Sequence, residues 1–179
     1  MSRILLCASA SVAVYKACDL ASKLAQAGHE VGTLLTPRAA ELVSPQLFEA
    51  VTGSWALVDE WSASRRGAMD HIDAARFAEL VVVAPCSADL AGRLANGLAG
   101  DLVATTLLAV DQQIPRLVCP AMKPTMLNHP AVARNLRQLV EDGWELVDAE
   151  EGHMACGESG SGRLADPATI QQRIEARLG

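Results

Sequence analysis

At 179 residues the chain has the size of one ordinary domain, long enough to bury a sizeable core. Half of the residues are hydrophobic but only 3% are aromatic, so the core must be built from Ala, Leu and Val; 15 Lys plus Arg against 21 Asp plus Glu leave a net charge of −6. There is no basic run, which excludes nucleic acid as an expected partner. No apolar stretch approaches the roughly 20 residues of a membrane span, so no membrane association is expected. MSRILLCASASVAVY flows into a helical pattern with Lys16 and Asp19 and does not read as a signal peptide, which makes a cytoplasmic location the expectation.

In chain order, apolar strand-like runs alternate with helical patterns. RILLCAS is the first strand. In SVAVYKACDLASKLAQAG, Ala13, Ala17, Leu20, Ala21 and Leu24 recur at helical spacing, and Gly28 supplies the stop. EVGTLLT is the second strand. Thr36-Pro37 and Ser44-Pro45 each pair an N-cap with a first-turn proline and so open two short helices. DHIDAARFA is a brief helix leading into ELVVVAP, the most strand-like run of all. CSADLAGRLANGLAGDLVATTLLAV gives one or two helices broken around Gly97 and Gly100, before the strand PRLVCPA. Pro130 opens AVARNLRQLVEDG, WELVDA is a fifth strand, and Asp166-Pro167 caps the closing helix ATIQQRIEARL. Five apolar strands separated by helices predict a parallel sheet covered on both faces, a three-layer, doubly wound α/β domain over residues 1–179.

Ligands on such sheets bind beyond the C-terminal ends of the strands. There the sequence places Ser9 and Ser11 at the start of the first helix, Thr36 at the start of the next, and Ser87 after VVVAP. Hydroxyls and backbone N–H groups at helix starts suit a phosphate, and the absence of both GxGxxG and GK[ST] at these positions favours a mononucleotide. Read singly, each is also an ordinary N-cap. The five cysteines, at 7, 18, 86, 119 and 156, are odd in number and lack CxxC spacing, so neither a disulfide framework nor a zinc knuckle is expected. Cys7, Cys18 and Cys119 read as core residues. Cys156 falls outside any periodic segment, in the glycine-rich GHMACGESGSGRL; His153 and Cys156 lack further ligands in register, so no metal site is expected. His29 and His129, next to turns, read as structural.

SASVAVYK, DHIDAA, APCSADLAGRLANGLAGDL, PAMKPTMLNHPAVARNL and ACGESGSGRLADP together resemble the flavin-containing cysteine decarboxylases, and within them the branch acting on phosphopantothenoylcysteine in coenzyme A synthesis. The resemblance covers nearly the whole chain. It implies a Rossmann-like flavoprotein that binds FMN between subunits and assembles as a homo-oligomer built from trimers, either trimer or dodecamer. By the same resemblance, His71 of DHI is a catalytic base or orienting group near the flavin, and Ser9, Ser11, Thr36, Ser87 and Asp101 line the FMN side. Met122, Lys123 and Met126 fall in the family's PxMNxxMW motif, and Ala155, Cys156 and Gly157 in its substrate clamp, a flap at about 151–165. Phosphopantothenoylcysteine would be decarboxylated through thioaldehyde and enethiolate intermediates to phosphopantetheine, with Cys156 as the proton donor of the closing reduction. The ligase domain that some bacterial versions fuse to the decarboxylase is expected on a separate protein.

Two departures bear on the substrate. Lys123 stands where the family has asparagine, and Leu127 where it has tryptophan. A lysine attracts a carboxylate as a flexible point charge, whereas an amide is a fixed donor. A tightly ion-paired carboxylate is also stabilised before it leaves, which raises the barrier to losing CO2. Two alternatives stay open on the residues: oxidative decarboxylation of a peptide's C-terminal cysteine, and a flavin-binding partner protein without turnover. Retention of His71 and Cys156 speaks against the second.

Overall fold

The computed structural model describes residues 1–62, 66–153, 157 and 159–179. These form a parallel sheet in the strand order β3-β2-β1-β4-β5-β6, helices on both its faces, and a separate antiparallel hairpin, β7-β8. The strands are β1 (Arg3–Ala8), β2 (Glu30–Leu35), β3 (Ala56–Leu57), β4 (Leu80–Cys86), β5 (Arg116–Pro120), β6 (Glu145–Leu146), β7 (Glu150–His153) and β8 (Ser159–Arg163). The helices are α1 (Val14–Gln26), α2 (Pro37–Ala40), α3 (Pro45–Thr52), α4 (Asp70–Phe77), α5 (Ala88–Ala95), α6 (Leu102–Ala109), α7 (Pro124–Leu127), α8 (Pro130–Glu141) and α9 (Pro167–Leu178).

The expected architecture is present, and β1 explains how it holds together. Its residues alternate between two cores: Ile4, Leu6 and Ala8 pack with Leu20, Leu24, Phe48 and Ile170 on one face, and Leu5 and Cys7 pack with Ala74, Leu90, Val103 and Leu139 on the other. A strand buried on both faces needs an unbroken apolar run, and RILLCA and LVVVAPC supply one. The N-cap readings hold as well. Thr36 accepts from Ala39 N–H, Ser44 from Gln46 N–H and Asp166 from Ala168 N–H, each with proline in the first helical turn. Gly28, at φ 89°, follows the end of α1 in the left-handed region that the stop signal anticipates.

Three strands go beyond the five-strand expectation, β3, β7 and β8, and the expected fifth strand, β6, is shorter than read. β3 pairs with β2 through only two residues at the sheet edge, too short a run to carry a period. WELVDA contributes only the two residues of β6. The β7-β8 hairpin lies in glycine-rich sequence that strand propensity disfavours, and its pairing with itself, Gly152 opposite Gly160, has no counterpart in apolar patterning.

Packing at β2 is tight where the chain has no side chain. A Cβ at Gly32 would overlap the Trp55 ring, which meets Phe77 edge-on with ring centroids 5.3 Å apart. Gly32→Ala should therefore destabilise the fold by about 1–3 kcal/mol, the usual cost of overpacking. Denaturant unfolding followed by tryptophan fluorescence measures this, and an unchanged midpoint would contradict the packing described.

Candidate functional site

The order β3-β2-β1-β4-β5-β6 reverses direction between β1 and β4, and the crevice at that switch point is where α/β sheets of this kind hold ligands. The chain crosses it with one side chain. Ser9, directly after β1 and 1% exposed, donates its hydroxyl to Pro85 O at 2.9 Å and accepts from Ser87 N–H at 2.7 Å. Its own N–H adds a second bond to Pro85 O at 3.0 Å. Ser9 and Ser87, singled out separately by the sequence, are thus in direct contact. Thr36 joins them from β2, its N–H bonded to Ala8 O at 3.0 Å.

Thr36 and Ser87 cap helices without spending their hydroxyl protons. The Ser87 Oγ accepts from Leu90 N–H and the Thr36 Oγ1 from Ala39 N–H; among the described residues no acceptor takes the O–H of either. The Ser11 Oγ accepts from Ala13 N–H, and the N–H groups of Ser11 and Val12 likewise have no acceptor among the described residues. Helix α1 carries no side-chain cap and no acidic residue in its first turn. This edge is therefore rich in donors without an acceptor among the described residues, which suits the phosphate of a mononucleotide such as FMN. Ser9, by contrast, has committed its proton to Pro85, so it holds the crevice in shape.

Asp101 is similarly committed. Its Oδ1 caps α6 at Ala104 N–H, 2.9 Å, and its Oδ2 meets Arg93 Nη1 at 2.8 Å; Arg93 also pairs with Asp89 at 2.9 Å. The carboxylate still reaches the crevice electrostatically, because it adds to the burial that pushes the Cys7 thiol up. Burial, as the foremost cause, also raises Cys119 and pushes Cys86 up to about 12 and Cys18 up to about 11. These four thiols stay protonated at neutral pH and are inert packing groups.

The residues expected on the substrate side sit on the far side of the switch point. Met122 follows β5, and its N–H donates to Gly162 O in β8 at 3.0 Å. The hairpin is thereby seated on the Pro120–Leu127 loop, and Gly160 lies so close to Pro124 that an added Cβ would come within 3.1 Å of its ring. The hairpin's base is tied twice more, by Lys16 Nζ to Leu164 O at 3.2 Å and by Asp166 N–H to Glu150 Oε1 at 2.9 Å. Met126 is exposed. Gly157 is exposed and at φ 83°, while Ala155 and Cys156 lie outside the described residues. A cavity of about 430 Å³ flanks this loop, lined by Pro120, Leu127, Leu136, Leu146 and Ala149 together with Arg137.

His71 opens α4, and its Nδ1 lies 2.6 Å from Glu60 Oε2, with His71 24% and Glu60 16% exposed. Asp70 beside it is buried and accepts from the N–H groups of Arg66 and Gly67, locking the preceding loop onto the helix start. Among the described residues no hydrogen bond joins His71 to Ser9, Ser11, Thr36, Ser87 or Met122. The other two histidines set aside as structural are occupied as such: His29 bridges Ser2 N–H and Glu175, and His129 caps α8. Sequence reasoning missed Glu60, Arg93 and Lys16. Arg93 carries a weak signal in its i,i+4 spacing from Asp89; Glu60 and Lys16 carry none, since only the fold brings their partners near. Among the described residues no group of three or more His, Cys, Asp or Glu is arranged to hold a metal ion, and no helix is long and apolar enough to cross a membrane.

Comparison with known proteins follows the same lines. The Flavoprotein family profile matches residues 1–179. The chain is 44% identical over 172 residues to the coenzyme A biosynthesis bifunctional protein of Bacillus subtilis, covering 96% of this chain but 42% of that protein, about two fifths of its length. It is 33% identical over 176 residues to a probable phosphopantothenoylcysteine decarboxylase of Streptococcus mutans, covering 98% of both chains. Among solved structures, a Cys→Ser mutant of PPC decarboxylase complexed with pantothenoylaminoethenethiol superposes with a TM-score of 0.89 at 30% identity, covering 99% of this chain and 98% of the other.

Ser9→Ala removes both side-chain bonds across the switch point, keeps the backbone bond to Pro85 O and leaves Ser87 N–H without its acceptor. The expected cost is about 1–3 kcal/mol of stability, together with weaker flavin retention on gel filtration; a variant as stable and as flavin-loaded as the parent would contradict the bridging role.

Proposed function

The chain belongs to the Flavoprotein family, and on that premise we propose that it is an FMN-dependent decarboxylase that converts phosphopantothenoylcysteine to phosphopantetheine in coenzyme A biosynthesis. The observation that carries this reading is the convergence, at the switch point, of a donor-rich edge on the β1, β2 and β4 side with a hairpin seated on the Pro120–Leu127 loop on the β5 side. A phosphate-bearing cofactor and a small substrate have adjoining places there. Bound at this edge, a flavin supplies the oxidation and re-reduction that let a carboxylate next to a plain CH2–SH group depart as CO2.

The chain's own residues bind, orient and exclude water. The N–H groups of Ser11 and Val12 and the hydroxyls of Thr36 and Ser87 would hold the phosphate, Ser9 keeps Ser87 in place, and Asp101 lines the FMN side from the start of α6. Lys123 offers positive charge to the substrate carboxylate, and Met122 and Met126 offer apolar surface beside it. Ala155 and Gly157 belong to the clamp that closes over the substrate, with Cys156 donating the final proton. His71 acts as base or orienting group at the reacting cysteine. The assembly is a homo-oligomer built from trimers in the cytoplasm; the exposed Val12, just before α1, and Tyr15, on its first turn, support burial against a neighbouring subunit.

His71→Asn should lower kcat by about 10²–10⁴-fold, the range for loss of a general acid–base group, while the protein retains its flavin absorbance. Undiminished turnover would remove His71 from the reaction. Cys156→Ser should still release CO2 yet form a product two hydrogens lighter than phosphopantetheine, as mass spectrometry would read; formation of normal phosphopantetheine would refute the proton-donor role.

A further inference from the structure

His71 does not stand alone at the start of α4. Its Nδ1 faces a carboxylate delivered by a different segment, the loop between β3 and α4, at 2.6 Å. That loop is built to present it. Asp59 Oδ1 accepts from Trp61 N–H at 3.0 Å, and Asp59 O accepts from the Ser62 hydroxyl at 2.9 Å, so the chain turns tightly around Glu60. On the other side of the pair, the buried Asp70 carboxylate holds Arg66 and Gly67, with Gly67 N–H at 2.7 Å, and Arg66 stacks over the Trp55 ring at 5.1 Å. Both ends of the connection are anchored, and neither His71 nor Glu60 is well exposed to water.

An ionised carboxylate is an acceptor only, so the proton in the short contact belongs to Nδ1. In neutral imidazole that leaves Nε2 as the nitrogen with the lone pair, and among the described residues nothing bonds to it. The free side chain prefers the opposite tautomer, with its proton on Nε2. A histidine that takes or positions a proton needs the correct nitrogen bare, and a carboxylate behind it is the usual means of ensuring that.

We propose that Glu60 is a positioning residue, which holds the His71 imidazole in the Nδ1–H tautomer and in a fixed orientation so that Nε2 is the nitrogen presented to the reaction. This rests on the reading of His71 as a reaction residue given above, and adds to it the group through which that residue is set. Glu60 itself touches neither substrate nor cofactor in this account.

The test is nitrogen NMR of the flavin-loaded protein with 15N-labelled histidine. The chain has four histidines, so His71 is identified by the signal lost in His71→Asn. The expected wild-type signal has its proton on Nδ1. Glu60→Gln, whose amide oxygen still accepts from Nδ1–H, should keep that tautomer, whereas Glu60→Ala should move the proton to Nε2. Steady-state kinetics should follow the same order, with kcat at least about 10-fold lower in Glu60→Ala, KM little changed and Glu60→Gln retaining more activity. A wild-type proton on Nε2, or a tautomer unmoved in Glu60→Ala, overturns the inference. So does an unchanged kcat in Glu60→Ala when His71→Asn is inactive. An active His71→Asn instead strikes the role given to His71, and the wild-type and Glu60→Gln tautomers then judge the Glu60 contact by themselves, even if Glu60→Ala fails to fold.

Discussion

One buried hydroxyl holds the working edge of this protein together. Ser9 reaches across the switch point of the sheet and satisfies both the Pro85 carbonyl and the Ser87 N–H. The strands on either side diverge there, β1 handing on to the β2 side and β4 to the β5 side, so without that hydroxyl the Ser87 N–H would lose its acceptor and the Pro85 carbonyl would keep only the Ser9 N–H. Burial makes such orphans costly. The bridge also sets the spacing of the helix starts around it, and hence the positions of the donors of Ser11, Val12, Thr36 and Ser87. Everything else proposed for the cofactor side depends on it.

On the opposite flank, order comes from bonds at the base of the hairpin. The glycine-rich hairpin is held by Met122 N–H on Gly162 O, by the Lys16 ammonium on Leu164 O and by the Glu150 carboxylate on Asp166 N–H. A segment fixed at its base by such bonds suits the proposed role of closing over something small. The four thiols pushed up by burial leave catalytic thiol chemistry to a cysteine elsewhere, consistent with the role given to Cys156.

Much of this was legible in the sequence, for identifiable reasons. Strands buried on both faces write themselves as unbroken apolar runs, and Ser/Thr/Asp-Pro pairs write helix starts, so β1, β4, α2, α3 and α9 could be read directly. The hydroxyls at the sheet's edge were legible as a group because strand ends in a doubly wound sheet point the same way. What was not legible is what only three-dimensional proximity creates. Glu60 is eleven residues from His71 in a loop without periodicity. Lys16 meets a carbonyl 148 residues away. The bonds that Ser9 makes to Pro85 and Ser87, and Asp101 to Arg93, likewise exist only once the chain is folded. A two-residue strand such as β3 leaves no period to detect.

The departures at Lys123 and Leu127 fall on the flank proposed for the substrate, and so the product decides the matter. Purified, flavin-loaded protein is incubated anaerobically with phosphopantothenoylcysteine and the product mass is read. Loss of CO2 alone, with every hydrogen accounted for, is the predicted result. Loss of CO2 with two hydrogens, or no reaction, would contradict it, the former marking an oxidative cysteine decarboxylase and the latter a flavin-binding protein with another substrate or none.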